Sequence, residues 1–398
     1  MALTINTNVN SLTAQRNLAT SQSSLSTSLQ RLSSGLRVNS AKDDAAGLAI
    51  AERLNSQVRG LGVASRNAND GISLSQTAEG ALGKVTDSLQ RIRELAVQSS
   101  NATNSADDRA ALQNEVSQLR DEIDRVAKNT TFNGTKLLDG SLTGATFQVG
   151  AGAGENITVA SVTNATTAKL SSVNYGKSDV TGISTGTVST LTAIAANTLK
   201  ITVGTSEYQL AGVNAASSAE QRLGQVAEAI NRRTSDTGVT AFLSKQADGS
   251  YNLKLRTGTL DSAGAAAAVT TGGFTIATTG IADASVTVAA STSAGLDSLT
   301  VATSEDSYLA IKNIDDALKQ VNSARATLGA VQSRFEAAIS NIAIQSENTS
   351  AARGRIVDAD FATETANLSR AQILTQAGTA IVAQANNLPQ QVLKLLQG

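Results

Sequence analysis

The sequence of 398 residues contains no cysteine, no histidine and no tryptophan, a single proline, and only 3% aromatic residues. Without cysteine or histidine the chain lacks disulfides, the usual zinc ligands, thiol nucleophiles and every catalytic triad that uses imidazole. Carboxylate pairs remain chemically possible, but nothing in their surroundings singles out one pair. We therefore expect no enzymatic activity, no cofactor and no metal site.

Strong charge and long apolar runs are also missing. The formal net charge is -1, which gives no basic field for nucleic acid, so we expect no nucleic-acid partner. No run of about 20 apolar residues is present, so no membrane span is expected. Residues 1–10 lack the basic start and apolar run of a secretory signal, which leaves a soluble chain or export by another signal.

Residues 40–100 carry apolar and small side chains at alternating spacings of three and four, which predicts one long helix packed nearly parallel to its partners. The positions on this seam are Leu54, Val58, Leu61, Ala68, Ile72, Leu82, Leu89, Ile92 and Ala96. Ser40 and Asp43 form a candidate capping box at its start. Five glycines interrupt the pattern at a cost of about 1 kcal/mol each. The alternative is two or three shorter helices with loops at 60–62 and 69–71.

Two further helices have clear starts. A capping box of Ser105 and Asp108 precedes a heptad seam over residues 112–126, and the short preceding loop makes this helix an antiparallel neighbour of the first. Ser304, followed by Glu305 and Asp306, begins a third long helix. We predict a helical bundle formed by residues 43–170 and 304–355.

Sequence patterns typical of turns and β-strands separate the two halves of this bundle. Asn133-Gly134 and Asp139-Gly140 are turn dipeptides, and residues 146–149 and 157–159 alternate as short strands, which predicts a small β element. Residues 171–303 are rich in Thr, Ala, Gly and Ser, with strand alternation at 199–203, 239–243 and 251–255 and helical spacing over 219–232. We predict a surface-exposed α+β insertion there.

The two ends of the chain, residues 1–42 and 356–398, are predicted to be terminal helical arms. Their narrow apolar stripes contain Leu25, Leu29, Leu32, Leu36, Leu374, Ile381, Leu388 and Leu395. We expect an antiparallel pair that brings Arg31 and Arg37 near the acidic residues of 358–364. Two helices with such thin stripes bury too little surface to stay folded alone, so the arms should pack against arms of other copies. The alternative is a mobile two-helix stalk on a monomer.

Four segments of the sequence resemble bacterial flagellin. They are LSSGLRVNSAKDDAAG at 32–47, residues 66–77, residues 131–139, and residues 369–396 with QAG at 376–378 and AQAN at 383–386. The resemblance covers about 175 N-terminal and 95 C-terminal residues. It implies arms that form the inner tube of a helical filament, a bundle that forms the outer tube, and an insertion that projects outward.

The resemblance also implies partners. These are further copies of the chain, the flagellar export machinery with an export chaperone, the filament cap, and hook-associated proteins, at a secreted, extracellular filament. Residues 89–98 resemble the segment bound by the Toll-like receptor for flagellin, with Arg91, Leu95 and Glu115 in the matching places. Leu95 is expected to point outward, and ordinary subunit contact is the alternative role for these residues.

The last residues resemble the determinant of cytosolic inflammasome recognition. The matching positions are Val392, Leu395 and Leu396, but the chain ends LLQG instead of the commoner LLR. The leading interpretation is a self-assembling filament subunit that acts as a propeller. The alternatives are a hook-filament junction protein with similar arms, and a filament protein whose insertion is adhesive or binds sugar.

Overall fold

A computed structural model describes residues 7–261, 264–283, 286 and 288–397, with side chains up to residue 387. The helices within this part are α1 Val9–Ser34, α2 Ala45–Ser99, α3 Ala106–Asn129, α4 Ala219–Asn231, α5 Thr234–Thr237, α6 Ile276–Thr279, α7 Ser304–Val357 and α8 Phe361–Gln397. The strands are β1 Thr131–Phe132, β2 Thr135–Lys136, β3 Ala145–Gln148, β4 Asn156–Val159, β5 Ser172–Ile183, β6 Lys200–Val203, β7 Ser206–Gln209, β8 Val239–Lys245, β9 Tyr251–Thr257, β10 Val269–Gly272 and β11 Ala289–Ala294. The predicted class is confirmed: mainly α, with long helices, helical arms, a small β element and an inserted α+β region.

Helix α2 is one uninterrupted helix of 55 residues. The alternative with loops at 60–62 and 69–71 is therefore wrong. The predicted cap at its start is also wrong, because Ser40 and Asp43 hydrogen-bond to each other in a turn before the helix. The side chain of Asp44 instead accepts the Gly47 amide at 2.8 Å and satisfies a free N–H of the first turn. The Ser105–Asp108 capping box is confirmed at α3, whereas α7 is capped by Thr303, whose hydroxyl accepts the Asp306 amide.

The chain forms two compact units. The first, called here the arm unit, holds the described residues of 1–71, 146–157 and 333–398. In it Phe147 of β3 meets Phe335 of α7 edge to face, with ring centroids 5.6 Å apart. The Asn67 side chain donates to the Gln148 carbonyl at 3.0 Å. These contacts fix the predicted β element, a two-stranded sheet of β3 and β4, on the first half of α2.

The second, the bundle unit, holds residues 72–145 and 158–332. Its helical part consists of α3 and the adjoining portions of α2 and α7. Leucine, isoleucine, valine and alanine fill this core, as the shortage of aromatic residues requires. The fully buried members include Leu82, Val85, Leu89, Ile92, Val116, Ile123, Ile314 and Val321. Ion pairs of Arg91 with Glu115 and of Arg93 with Asp315 connect α2 to its two neighbours at the rim.

Residues 172–294 of the bundle unit form what we call the sheet domain. It contains a four-stranded sheet in the order β11-β5-β9-β8 and a three-stranded sheet in the order β10-β6-β7, all antiparallel. A separate hydrophobic core, which includes Ile201, Leu223, Val226, Leu253 and Leu255, lies between the sheets and α4. The strands predicted at 199–203, 239–243 and 251–255 and the helix over 219–232 are confirmed. The predicted domain boundaries themselves remain predictions.

Candidate functional site

The terminal arms α1 and α8 pack against each other as an antiparallel pair. Asn8, before α1, donates from its side chain to the Ala385 carbonyl at 2.7 Å. Near the other end of α1, Arg31 Nη1 lies 3.9 Å from Glu364 Oε2, as the charge pattern predicts. Arg37 behaves differently, because its guanidinium donates to the backbone carbonyl of Ile356 at 2.6 Å. These contacts set the register of the pair.

Small and polar residues form the seam between the arms. Ala371 and Ala385 are buried there on α8, and Ser11 and Ser28 are buried on α1. At Gly378 the helices are so close that an added Cβ would lie 3.1 Å from Leu18 Cδ1. Among the described residues of the helices α1 and α8, no large apolar side chain is buried. The arms therefore hold together without using their best apolar surface.

That surface faces outward. The large apolar arm side chains with about half or more of their area exposed, called here the exposed arm residues, are Val9, Leu12, Leu29, Phe361, Ile373, Leu374 and Ile381. Their exposed fractions run from 48% at Leu29 to 68% at Phe361. Single exposed apolar side chains are common on protein surfaces, but a concentration of seven on one helix pair favours a contact surface.

The predicted interface residues divide into three groups. Leu29, Leu374 and Ile381 are exposed, whereas Leu25, Leu32 and Leu36 are half-buried. The side chains of Leu388 and Leu395 lie outside the described residues, as do those of Val392 and Leu396. The sequence reasoning missed Val9, Leu12 and Ile373, which fall off the 3,4 spacing. The available signal was a large apolar residue in an otherwise polar turn of an arm.

A polar groove of about 460 Å³ also opens on the arm pair. Hydroxyl side chains of α1 line one wall, including Ser24 and Thr27, and Arg370 and Leu374 of α8 line the other. Arg31 lies at one end, and its buried Nε has no hydrogen-bond partner among the described residues. The groove offers donors and acceptors beside apolar surface, as expected for a face that another helix could cover.

The three proposed Toll-like receptor residues, Arg91, Leu95 and Glu115, lie in the bundle unit but do not share one surface. Arg91 bridges α2 and α3, since its guanidinium contacts Glu94 at 3.0 Å and Glu115 at 2.8 Å. Hydrogen bonds raise the pKa of the Arg91 guanidinium, and the bond to Glu94 contributes more than the bond to Glu115. Leu95, by contrast, is 1% exposed. The expected outward position of Leu95 is wrong, because neighbours on two sides of α2 bury a second row of side chains beside the seam.

The described residues form neither a candidate metal site nor a membrane-spanning helix. No group of three His, Cys, Asp or Glu side chains in this part of the chain could hold a metal ion. None of the helices it contains is long and apolar enough to cross a bilayer. Several surface aspartates in turns and caps have lowered pKa values, such as Asp108, whose carboxylate accepts hydrogen bonds from Ser105.

Comparisons with known proteins find matches at both helical ends of the chain and within the sheet domain. Residues 5–143 match the bacterial flagellin N-terminal helical region, residues 311–396 match the bacterial flagellin C-terminal helical region, and residues 198–259 match the flagellin hook IN motif. B-type flagellin of Pseudomonas aeruginosa is 38% identical over 492 aligned residues, with 100% of each chain covered. Flagellin C of Vibrio cholerae is 41% identical over 411 aligned residues, again with 100% of both chains covered.

Among solved structures, FliC from Burkholderia pseudomallei is 27% identical, with a TM-score of 0.38, and the match covers 66% of this chain and 99% of that one. The decisive matches are the full-length relatives, because they include both arms and the region between them. With 38% and 41% identity over both whole chains, the chain belongs to the bacterial flagellin family, the structural subunits of the flagellar filament.

Proposed function

We propose that the exposed arm residues are the polymerisation surface through which copies of this chain assemble into the inner tube of the filament. The observation that carries the proposal is the arrangement of the arm pair. Its small seam residues are turned inward, and seven large apolar side chains remain 48% to 68% exposed. Covering them with the arms of neighbouring copies removes apolar surface from water without any rearrangement of the pair.

The free energy gained by burying these side chains favours contacts with more than one neighbouring subunit. Burying the exposed half of each such side chain contributes about 1 kcal/mol, and seven of them give about 7 kcal/mol. Association of two subunits costs about 4 to 15 kcal/mol in lost freedom of motion. A single pairwise contact is therefore marginal, and stable addition needs several neighbours at once. Polymerisation is then expected to begin slowly and to proceed rapidly on existing filament ends.

The test replaces apolar side chains without touching the seam. In the full chain, Ile373, Leu374 and Ile381 are changed together to Ser, and short filament fragments are added as seeds. We expect the variant to stay monomeric, with unchanged helical circular dichroism, while the parent forms long filaments by negative-stain electron microscopy. The control is Ile276→Ser, which removes a side chain of similar exposure, 51%, outside the arms.

The outcomes separate the alternatives. Normal filaments from the triple variant would overturn the proposed surface. Short capped assemblies from the parent chain, in place of indefinite filaments, would favour the junction protein. Filaments from a chain that lacks residues 171–303 would show that the insertion decorates the polymer and does not build it.

The same surface accounts for the proposed export partners. Before assembly the exposed arm residues would associate without control, so a chaperone that covers the arms is expected during export through the flagellum's own channel. The filament cap and the hook-associated proteins would meet the same arm surface at the two ends of the polymer. Binding of the arms should therefore be competitive between chaperone and filament end, which seeded assembly with added chaperone measures.

Recognition by the Toll-like receptor is a second proposal, and it rests on the exposed pair of Arg91 and Glu115. Their side chains are 50% and 44% exposed. Receptor activation should fall for Arg91→Ala and Glu115→Ala. The matched control is Arg93→Ala, since Arg93 and Asp315 form a similar pair with exposed fractions of 45% and 48%. Equal effects of all three substitutions would contradict the proposal. Leu95 is unsuitable for this test because its replacement would disturb the core.

A further inference from the structure

Two chain segments connect the sheet domain to the helical part of the bundle unit. The chain enters it after Ser171 and leaves it at Gly295, and the Gly295 amide donates to the Ser171 carbonyl at 2.9 Å. The two covalent connections are therefore side by side. Among the described residues, the buried members of the sheet domain's hydrophobic core run from Ile183 to Val286 and include no residue of α7. Its position on the bundle must then be fixed by contacts other than those of its own core.

One face of the four-stranded sheet supplies these contacts. Leu253 and Leu255 of β9 point into the core of the sheet domain, so the alternate residues Lys254 and Arg256 point to the opposite face. That face lies against the first turns of α7. Arg256 is 4% exposed there, and its guanidinium contacts both Glu305 of α7 and Asp179 of β5, the latter at 2.6 Å.

Within the described residues, two ion pairs cross this interface, and Glu305 takes part in both. Besides Arg256, it accepts Lys254 Nζ at 2.7 Å, and its own side chain is 10% exposed. The remaining contacts include an aromatic pair and a backbone hydrogen bond. The ring of Tyr308 lies 5.8 Å from that of Phe242, and the Ser172 amide donates to Asp316 at 3.0 Å.

We propose that Glu305 is a latch that holds the folded sheet domain in one orientation on the bundle. A buried ion pair is costly to break when one charge is left without a partner. Loss of Glu305 avoids that penalty inside the sheet domain, because Arg256 retains Asp179. Undocking and unfolding of the sheet domain can therefore be separated in one variant, Glu305→Ala.

The experiment measures docking by energy transfer between two dyes in the full-length monomer. The chain has no native cysteine, so Ala247→Cys and Ala326→Cys, both at exposed positions, place one dye on the sheet domain and one on α7. A second pair, Thr205→Cys with Ala247→Cys, lies wholly within the sheet domain and reports its unfolding. Both pairs are followed in a urea titration.

We expect Glu305→Ala to move the midpoint of the docking signal to lower urea and to leave the midpoint of the internal pair unchanged. The control is Asp306→Ala, which removes another first-turn carboxylate of α7, one that accepts a hydrogen bond from the Thr303 hydroxyl of the helix cap. Asp306→Ala should have the same urea midpoint of the docking signal as the parent chain. An unchanged docking midpoint in Glu305→Ala, an equal shift in Asp306→Ala, or a matching shift of the internal pair would each overturn the latch.

Discussion

The ring of Phe335 occupies the space that a side chain at position 71 would need. A Cβ atom built on Gly71 would lie 2.5 Å from Phe335 Cζ, far inside contact distance. Phe335 is fully buried and stacks edge to face on Phe147. The glycine that weakens α2 as a helix is therefore the residue that allows α7 to approach it.

We expect Gly71→Ala to destabilise the chain by about 1 to 3 kcal/mol, since a crowded core side chain must leave its preferred position. The matched control is Gly62→Ala in the same helix, where an added Cβ meets nothing within 4 Å. That change should stabilise α2 by up to about 1 kcal/mol. Urea unfolding followed by circular dichroism measures both. Stabilisation by Gly71→Ala would contradict the close approach, and Phe335→Leu should partly rescue it.

A second prediction concerns Arg222 of α4. Its side chain is fully buried in the sheet domain and donates from Nη2 to the Thr192 carbonyl at 2.5 Å. Its Nε and Nη1 have no hydrogen-bond partner among the described residues, and burial lowers the pKa of its guanidinium. An apolar side chain of similar length avoids the cost of burying this charge. Arg222→Met should stabilise the sheet domain by about 1 to 4 kcal/mol.

The control for Arg222 is Arg232→Met at the end of the same helix. Arg232 is 61% exposed and pairs with Glu228 on the surface. Its replacement should change stability by less than about 1 kcal/mol. The internal dye pair in the sheet domain measures both variants. A large loss of stability in Arg222→Met would show that its single hydrogen bond outweighs the burial cost.

Acid should loosen the start of α8. The Asp360 carboxylate accepts hydrogen bonds from the Thr363 hydroxyl and from the Thr363 and Ala362 amides, which lower its pKa below the ordinary 3.8. The stabilisation is present above that ordinary value and is lost as the pH falls through the lower folded value. Hydrogen-exchange protection of the first turn of α8 should fall in this range. Asp360→Asn should remove the pH dependence, and a persisting one would exclude Asp360 as its source.

A small cavity in the bundle unit offers a stabilising substitution. It has a volume of about 80 Å³ and is lined by Val162, Ala324, Leu328 and Val331, among others. Ala324→Val should fill part of it and raise the free energy of unfolding by about 0.5 to 1 kcal/mol, even though valine is a weaker helix former. Val162→Ala should enlarge it and cost about 2 kcal/mol. Destabilisation by both changes would show that the cavity wall cannot accept added volume.

Much of the fold was predictable because heptad seams, capping boxes and turn dipeptides are local signals. Strand β5 was not, although it is 12 residues long. Its buried positions include Gly176 and Ser178, which show no apolar alternation. At Gly176 an added Cβ would lie 2.5 Å from Val288 Cγ1, so the strand is specified by a close approach between distant parts of the chain. No local pattern carries that information.

The arm surface was predictable in kind but only partly in position. The thin stripes correctly indicated helices that leave apolar surface uncovered, and Leu374 and Ile381 are among the exposed side chains. The inward seam, with Ala371 and Gly378, was hidden because small residues mark a helix contact only when the partner helix is known. Leu95 was misplaced for the opposite reason: the face of a helix opposite one neighbour is buried when a second neighbour lies there.

The side-by-side connections at Ser171 and Gly295 have a consequence for how this chain can vary in length. Because the carbonyl of one and the amide of the other are 2.9 Å apart, the 123 residues between 171 and 295 can be removed, enlarged or exchanged with a linker of very few residues. Neither the helices before this point nor those after it would need to shift. A change in the length of this segment can therefore leave the architecture of the surrounding helices unchanged.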